Sequence, residues 1–237
     1  MLGLGNTLSG GIVPAAAAAG FADSYSLSFD GVDDYVDLDN AASGISGIEG
    51  TISFWFKPTD NYLFEIKVDA DNYISAYFSS GSDYASCTRR ADGGNDTAAS
   101  FSGGSGNDGN WHHAAYTWSE SGDKFIAYAD GSAETTRTSI NSWDGTPSIF
   151  TLGKHTAHWS GGYYSGNIND VSIWNSALSA GDISDIYNSG TVTDLSGESG
   201  LIGYWKFEEN TGTTVEDSSS SNDGTLVNGT AFDSDTP

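Results

Sequence analysis

The chain has 237 residues and carries 8 Lys and Arg against 32 Asp and Glu, a formal charge of −24. So acidic a surface repels phosphate, which excludes recognition of nucleic acid or of anionic lipid through a basic patch. No window approaches 18 uninterrupted apolar residues, so no membrane insertion is expected. Cys87 stands alone, with no partner for an internal disulfide and no Cys/His set at zinc spacing.

Residues 1–22 contain no charged side chain and include the alanine run Ala15 to Ala19. The first basic residue is Lys57, so the basic start of a conventional secretory signal is missing. Two readings stay open for this stretch: a floppy leader, or an apolar arm that docks on a partner. The rest, residues 23–237, shows no linker and is expected to form one domain.

Strand signals then recur with turn signals between them. Tyr25, Leu27 and Phe29 alternate with serines and end at Asp30-Gly31. Val36 and Leu38 alternate with Tyr35, Asp37 and Asp39. Ile52, Phe54 and Phe56 alternate with Ser53, Trp55 and Lys57, and Pro58 closes that run. Strands are expected next at 62–68 and 73–78. Residues 79–110 are rich in Ser, Gly, Asn and Asp, and predict long loops around one or two weak strands. Strong strands follow at 111–118 and 124–130, with Asp130-Gly131 as a hairpin turn, and further strands at 148–154 and 166–174. One helix is expected, capped by Ser179 with Asp182 three residues on and Gly190 past its end. Ile183, Ile186 and Tyr187 would face the core. A late strand at 201–207 precedes a loop-rich end with a short strand near 225–227. Many short strands with one short helix predict an all-β sandwich of two antiparallel sheets.

Several segments resemble one family. Ser26 to Leu38 (SLSFDGVDDYVDL), Thr51 to Pro58 (TISFWFKP), GNWHHAAYTW with FIAYADG, Ser165 to Gly190 and Leu201 to Gly229 are similar to successive pieces of laminin-G-like domains of the concanavalin A-like superfamily. The last segment precedes the first strand in many relatives and here stands at the C-terminal end. The resemblance covers about nine-tenths of the chain and implies a jelly roll of two curved sheets. By analogy it extends to virion proteins of tailed phages, marine ones in particular.

Catalysis is not expected. The laminarinase-like relatives carry Glu-x-Asp-x-(x)-Glu on one strand, a run absent here. Glu208 and Glu209 are adjacent and would face opposite sides of a strand. The four His lack a nucleophile motif.

Many relatives carry calcium. The family's FDG Asp matches Asp30, and its IDE or IDD motif matches Ile168-Asn169-Asp170, with Asn169 in place of the usual Asp. Asp30, Asp33, Asp34 and Asp170 are therefore the candidate calcium ligands, against the plainer reading that the first three build a turn. For glycan binding, HTAHWSGGYY concentrates His155, His158, Trp159 and Tyr163 on one loop, and Trp143 and Tyr84 are other loop aromatics. Flat aromatic faces beside hydrogen-bonding groups suit a sugar, and equally anchor a protein contact.

The expectation is a non-catalytic virion surface protein, a capsid decoration or a tail appendage. It would be held to other virion proteins through residues 1–22, would be homo-oligomeric, and could adhere to cell-surface polysaccharide. The alternative is a calcium-assisted lectin without a virion role, placed outside the cell or on its surface.

Overall fold

The computed structural model describes residues 22–79, 84–101, 106–156 and 162–237. The arm expected at residues 1–22 lies, but for Ala22, outside the described residues. In chain order the first strands are β1 (Ser26–Asp30), β2 (Tyr35–Asp37), β3 (Glu49–Lys67), β4 (Tyr73–Ser79), β5 (Tyr84–Ala91) and β6 (Gly94–Ser100). Then come β7 (His112–Ser119), β8 (Lys124–Ala129), β9 (Ser132–Arg137), β10 (Ile149–Leu152), β11 (Lys154–His155), β12 (Gly162–Tyr163) and β13 (Ser165–Trp174). The last are β14 (Leu201–Trp205), β15 (Thr214–Val215), β16 (Gly224–Val227) and β17 (Ala231–Asp233). Two helices interrupt them, α1 (Asp39–Ala42) and α2 (Ala180–Tyr187).

All pairings are antiparallel and define two large sheets and the two-stranded ribbon β11-β12. One runs β9-β8-β7-β3-β13-β1-β17, with β14 beside the far half of β13. The other runs β6-β5-β4-β3-β10-β2-β16-β15. Strand β3 belongs to both. Its first half pairs with β7 and β13, and its second half, from Asn61, pairs with β4 and β10. The chain thus turns the corner of the sandwich without a loop, where two separate strands were expected. The core between the sheets comes from alternate residues, among them Leu27, Phe29, Ile52, Phe54, Phe56, Phe64, Ile74, Tyr116, Trp118 and Phe150.

The expected helix is α2. Ser179 Oγ accepts from the Asp182 amide at 3.2 Å, and Asp182 Oδ2 accepts from the Ser179 amide at 2.9 Å. This reciprocal capping box satisfies two otherwise orphaned donors. Asn188, not Gly190, takes the left-handed position at its end. Ile183 and Ile186 bury against Ala115, Tyr128, Trp174, Leu195 and Tyr204, a second small core on the outer side of the first sheet. The four-residue α1 was not expected.

The one or two weak strands expected within residues 79–110 are the β5–β6 hairpin, longer and more regular than expected, paired from Ala85–Ser100 to Ala91–Gly94. Its buried residues are small or polar (Ala85, Cys87, Arg89, Asp96 and Ala98), so the usual strand composition is absent. The loop-rich end holds the short strand expected near 225–227 as β16, with β15 and β17 besides. Among the described residues no helix is long and apolar enough to cross a membrane.

Candidate functional site

The outward face of the second sheet gathers tyrosines from three adjacent strands. Register places Tyr62 of β3 opposite Tyr77 of β4, and Ser79 opposite Tyr84 of β5. The Tyr62 and Tyr77 rings lie 6.0 Å apart at 54°, and the Tyr77 and Tyr84 hydroxyls are 3.5 Å apart. All three are half-buried. The Tyr84 hydroxyl and burial together push the Tyr77 phenol up to about 12, so the Tyr77 hydroxyl stays protonated and able to donate at neutral pH. Ser86 is paired with Tyr77, and Thr88 of β5 follows two residues on, on the same face.

The ribbon of β11 and β12 lies over this face. His155 stacks on Tyr62 with centroids 4.2 Å apart at 18°, and meets the edge of Tyr73 at 5.8 Å. Buried Glu65 fastens the ribbon. Its Oε2 accepts from the Thr156 amide at 2.8 Å and from Thr156 Oγ1 at 2.7 Å, while its Oε1 is 3.8 Å from His155 Nε2. Gly162 permits the close approach, since a Cβ there would meet the Tyr62 ring at 2.2 Å. Tyr163 sits half-buried on β12, opposite Lys154. His158 and Trp159 lie outside the described residues.

Two of the expected contact residues are corrected. Trp143 is 8% exposed, with its ring packed where a Cβ on Gly47 would collide at 1.9 Å and its Nε1 donating to Gly145 O at 2.9 Å. It plugs the end of the sandwich beneath Arg89. His155 is 3% exposed and supports the ribbon from below, without reaching the surface. The sequence missed Tyr62 and Tyr77. Their spacing within two strand signals was visible, but not that the strands are neighbours.

The expected calcium ligands do not converge. Asp30, Asp33 and Asp34 do meet, with ligand oxygens within 4.8 Å of one another. However, Asp34 Oδ2 accepts from the Asp30 amide at 3.0 Å, Asp34 Oδ1 from the Gly229 amide at 2.7 Å, and Asp30 Oδ1 from the Val32 amide at 2.8 Å. These contacts hold the β1–β2 turn against the β16–β17 turn. Asp170 is elsewhere. Asp30 pairs with Ser165, and five residues of strand beyond Ser165 cover about 17 Å.

Asp170 instead forms part of a cluster on the outer side of the first sheet. A bulge in β13 sets three steps, Asn169 to Ser172, against two on β3, Trp55 to Ser53. Asp170 takes the left-handed φ of 47° there. The bulge re-aims the strand, and Asn169 and Asp170 both join one polar cluster. Asn169 Nδ2 donates to Asp23 Oδ1 at 2.7 Å, and the Tyr204 hydroxyl donates to Asp170 Oδ1. Glu208 Oε1 accepts from the Ser24 and Tyr25 amides at 2.9 and 3.1 Å.

Three buried oxygens in this cluster have no donor: Asp23 Oδ2, Asn169 Oδ1 and Asp170 Oδ2. Burial, with Glu208 adding repulsion, raises Asp23 to about 6. Burial and the charges of Asp23 and Glu208 hold Asp170 well above the usual carboxylate range, against the Tyr204 hydrogen bond. Buried acceptors without donors are costly, and a hard cation takes such oxygens. These residues fit the calcium that the family resemblance implies, and Asp30, Asp33 and Asp34 fit it less well. In the sequence Glu208 shows only as one of two adjacent acids on opposite sides of a strand, and no motif singles out Asp23.

The fold and the aromatic face together define a lectin-like sandwich. Residues 30–184 match the laminin G family described as the Concanavalin A-like lectin/glucanases superfamily, and the chain belongs to that family. Among solved structures it is similar to a Bacteroides ovatus protein described as a candidate carbohydrate binding protein, at 17% identity and a TM-score of 0.62, over 89% of this chain and 60% of that one. It is also similar to the CBM40 of a Ruminococcus gnavus IT-sialidase bound to α2,3 sialyllactose, at 14% identity and a TM-score of 0.56, over 70% of this chain and all of that one. A Limulus polyphemus SAP-like pentraxin matches at 15% and 0.53, over 71% and 84%. The human adhesion G protein-coupled receptor D2 is 32% identical over 79 residues, 30% of this chain and 8% of the receptor. The chain thus spans a small fraction of the receptor, and three-fifths of the Bacteroides protein.

Proposed function

We propose that this chain is a non-catalytic glycan-binding domain whose sugar lies on the tyrosine face of the second sheet. The cross-strand row Tyr62, Tyr77 and Tyr84 carries the reading. The Tyr77 and Tyr84 rings, beside the Tyr62 ring that His155 covers, offer flat apolar surface with hydroxyls at their tips, the pairing that a pyranose presents in reverse. The carboxylate on this face, Glu65, is tied to Thr156 and His155, which favours binding over hydrolysis. A glycan array identifies the ligand. Tyr77→Ala and Tyr84→Ala should each then lower affinity about tenfold, and unchanged affinity in both variants overturns the assignment.

A resident calcium ion belongs to the same reading, held by Asp23, Asn169 and Asp170. Calcium there supplies charge neutralisation and geometry. Added calcium chloride at fixed ionic strength should raise the melting temperature of the wild type and of Asp33→Asn, but not of Asp170→Asn. The virion-surface role, with homo-oligomers fastened through residues 1–22, is supported by that stretch of 22 uncharged positions in a chain of charge −24. It predicts a larger hydrodynamic mass for the full chain than for one lacking residues 1–22.

A further inference from the structure

We infer that the tyrosine face is one end of a longer binding strip along β4, β5 and β6, and that the strip takes an extended, uncharged glycan chain instead of a single terminal sugar. The inference rests on the glycan-binding reading above and names the ligand class for that site.

Alternation along the strands decides what the strip offers. On β5, Tyr84 is followed on the same face by Ser86, Thr88 and Arg90, while Ala85, Cys87 and Arg89 are buried on the inner side. Across the next pairing, Thr97 of β6 stands opposite Thr88, and Asn95 opposite Arg90. From Tyr84 to Arg90 is six residues of strand, about 20 Å. One pyranose seated on Tyr77 and Tyr84 reaches neither Arg90 nor Asn95. A chain of linked sugars meets both ends.

The strip is bounded along both sides. The β11–β12 ribbon banks it above β3 and β4, where His155 covers Tyr62 and abuts Tyr73. Beyond β6, the Thr135 hydroxyl accepts from the Ala99 amide at 2.8 Å and donates to the Ala99 carbonyl at 2.7 Å. Further along, the Asn141 amide donates to Asp96 Oδ2 at 2.9 Å. The edge of β6 is thus engaged at Ala99, and the ground left to a ligand is the outer surface of the strands.

The polar groups on that surface match a polyol. The Thr88 and Thr97 hydroxyls, 3.2 Å apart, each donate and accept, as a sugar hydroxyl does. Arg90 Nη1 donates to Asn95 Oδ1 at 2.9 Å and Nη2 to Asp71 Oδ1 at 3.3 Å, while Nε has no acceptor. The Asp71 side chain is 67% exposed. So open a pair holds little energy, and a sugar oxygen can share the guanidinium. In a chain with 32 Asp and Glu, no carboxylate stands at an outward position of β4, β5 or β6. The surrounding charge of −24 repels a polyanion, so the strip selects an uncharged chain.

Calorimetric titration of the full chain tests this with neutral gluco-, manno-, galacto- and xylo-oligosaccharides, each from disaccharide to hexasaccharide, and with oligogalacturonates as the anionic counterpart. In the series that binds, affinity should climb about tenfold from disaccharide to hexasaccharide and change little with salt. Arg90→Ala and Asn95→Ala should each remove most of that climb, whereas Tyr77→Ala should weaken every member. A climb that both Arg90→Ala and Asn95→Ala leave intact overturns the strip and leaves the tyrosine site standing, and so does affinity that is the same at every length. Preference for the oligogalacturonates overturns the uncharged class. If none of these sugars binds, the strip and the tyrosine site fall together.

Discussion

Arg89 lies on the inner side of β5 with none of its side chain exposed. Its guanidinium donates to Asp96 Oδ2 at 2.9 Å, to Gly47 O at 2.8 Å, to Asn141 O at 2.7 Å and to Glu120. Two acids and two carbonyls from four segments therefore share one cation. Removing it leaves the fully buried Asp96 without its counter-charge, so Arg89→Met should cost about 3–5 kcal/mol in denaturant unfolding. His113 makes a second residue-scale prediction. Its ring is fully buried, with Nε2 2.7 Å from Ser53 Oγ and Trp55 and Tyr187 packed around it. Burial pulls it from 6.5 down to about 4, so the fold requires the neutral ring and the unfolded chain takes up the proton first. The stability this ring supports is complete above about pH 6.5 and is lost as the pH falls towards 4, by about 3 kcal/mol. The stability difference between wild type and His113→Gln should shrink by that amount over the same interval, and a ring titrating near 6.5 in the folded protein would refute it. His112 moves the opposite way, raised by Asp130 and Asp108 against its own burial, which is why the variant comparison is the clean measurement.

At the scale of elements, two short pieces carry more than their length suggests. The capping box of α2 keeps Tyr187 stacked on Trp55, with centroids 5.6 Å apart. Ser179→Ala should lower stability by about 1 kcal/mol. The β11–β12 ribbon depends on Gly162, and Gly162→Val should lift it from Tyr62. The loss reads out as a collapsed ring-current shift on His155 and weaker glycan binding. The sequence made α2 legible down to its cap, because Ser179 and Asp182 act within one turn. It made β1 legible because inward Leu27 and Phe29 alternate with serines, and β7, β8 and β13 legible through their aromatic and β-branched residues. The β5–β6 hairpin showed only as one or two weak strands, since Ala85, Cys87 and Ala98 give little apolar signal and Arg89 reads as a surface residue. Half of the site was hidden for another reason. Tyr84 could be picked out alone, but the row it joins, and the meeting of Asp23 with Asp170, depend on sheet register and on a bulge that no local pattern announces.

The whole molecule carries a charge of −24; Asp34 and Asp217 accept from turn amides, while Asp235 accepts from Lys57 and the Trp111 indole. Self-repulsion opposes the compact state at low ionic strength. Raising sodium chloride from about 10 mM to about 150 mM shortens the screening length from roughly 30 Å to roughly 8 Å, so the melting temperature should rise with no change in fold. Calcium should add a further increment at constant ionic strength, through Asp170 and not through screening. The architecture also bears on time. Because β3 is one unbroken strand shared by both sheets, neither sheet can be completed while the other is missing its central member. Its partners β7, β10 and β13 come from far along the chain, so the search for them is slow, on the order of milliseconds to seconds. A nascent chain halted before Ser165 would hold the first half of β3 with one flank bare, exposing an aromatic stave to aggregation until synthesis delivers the strand that seals it.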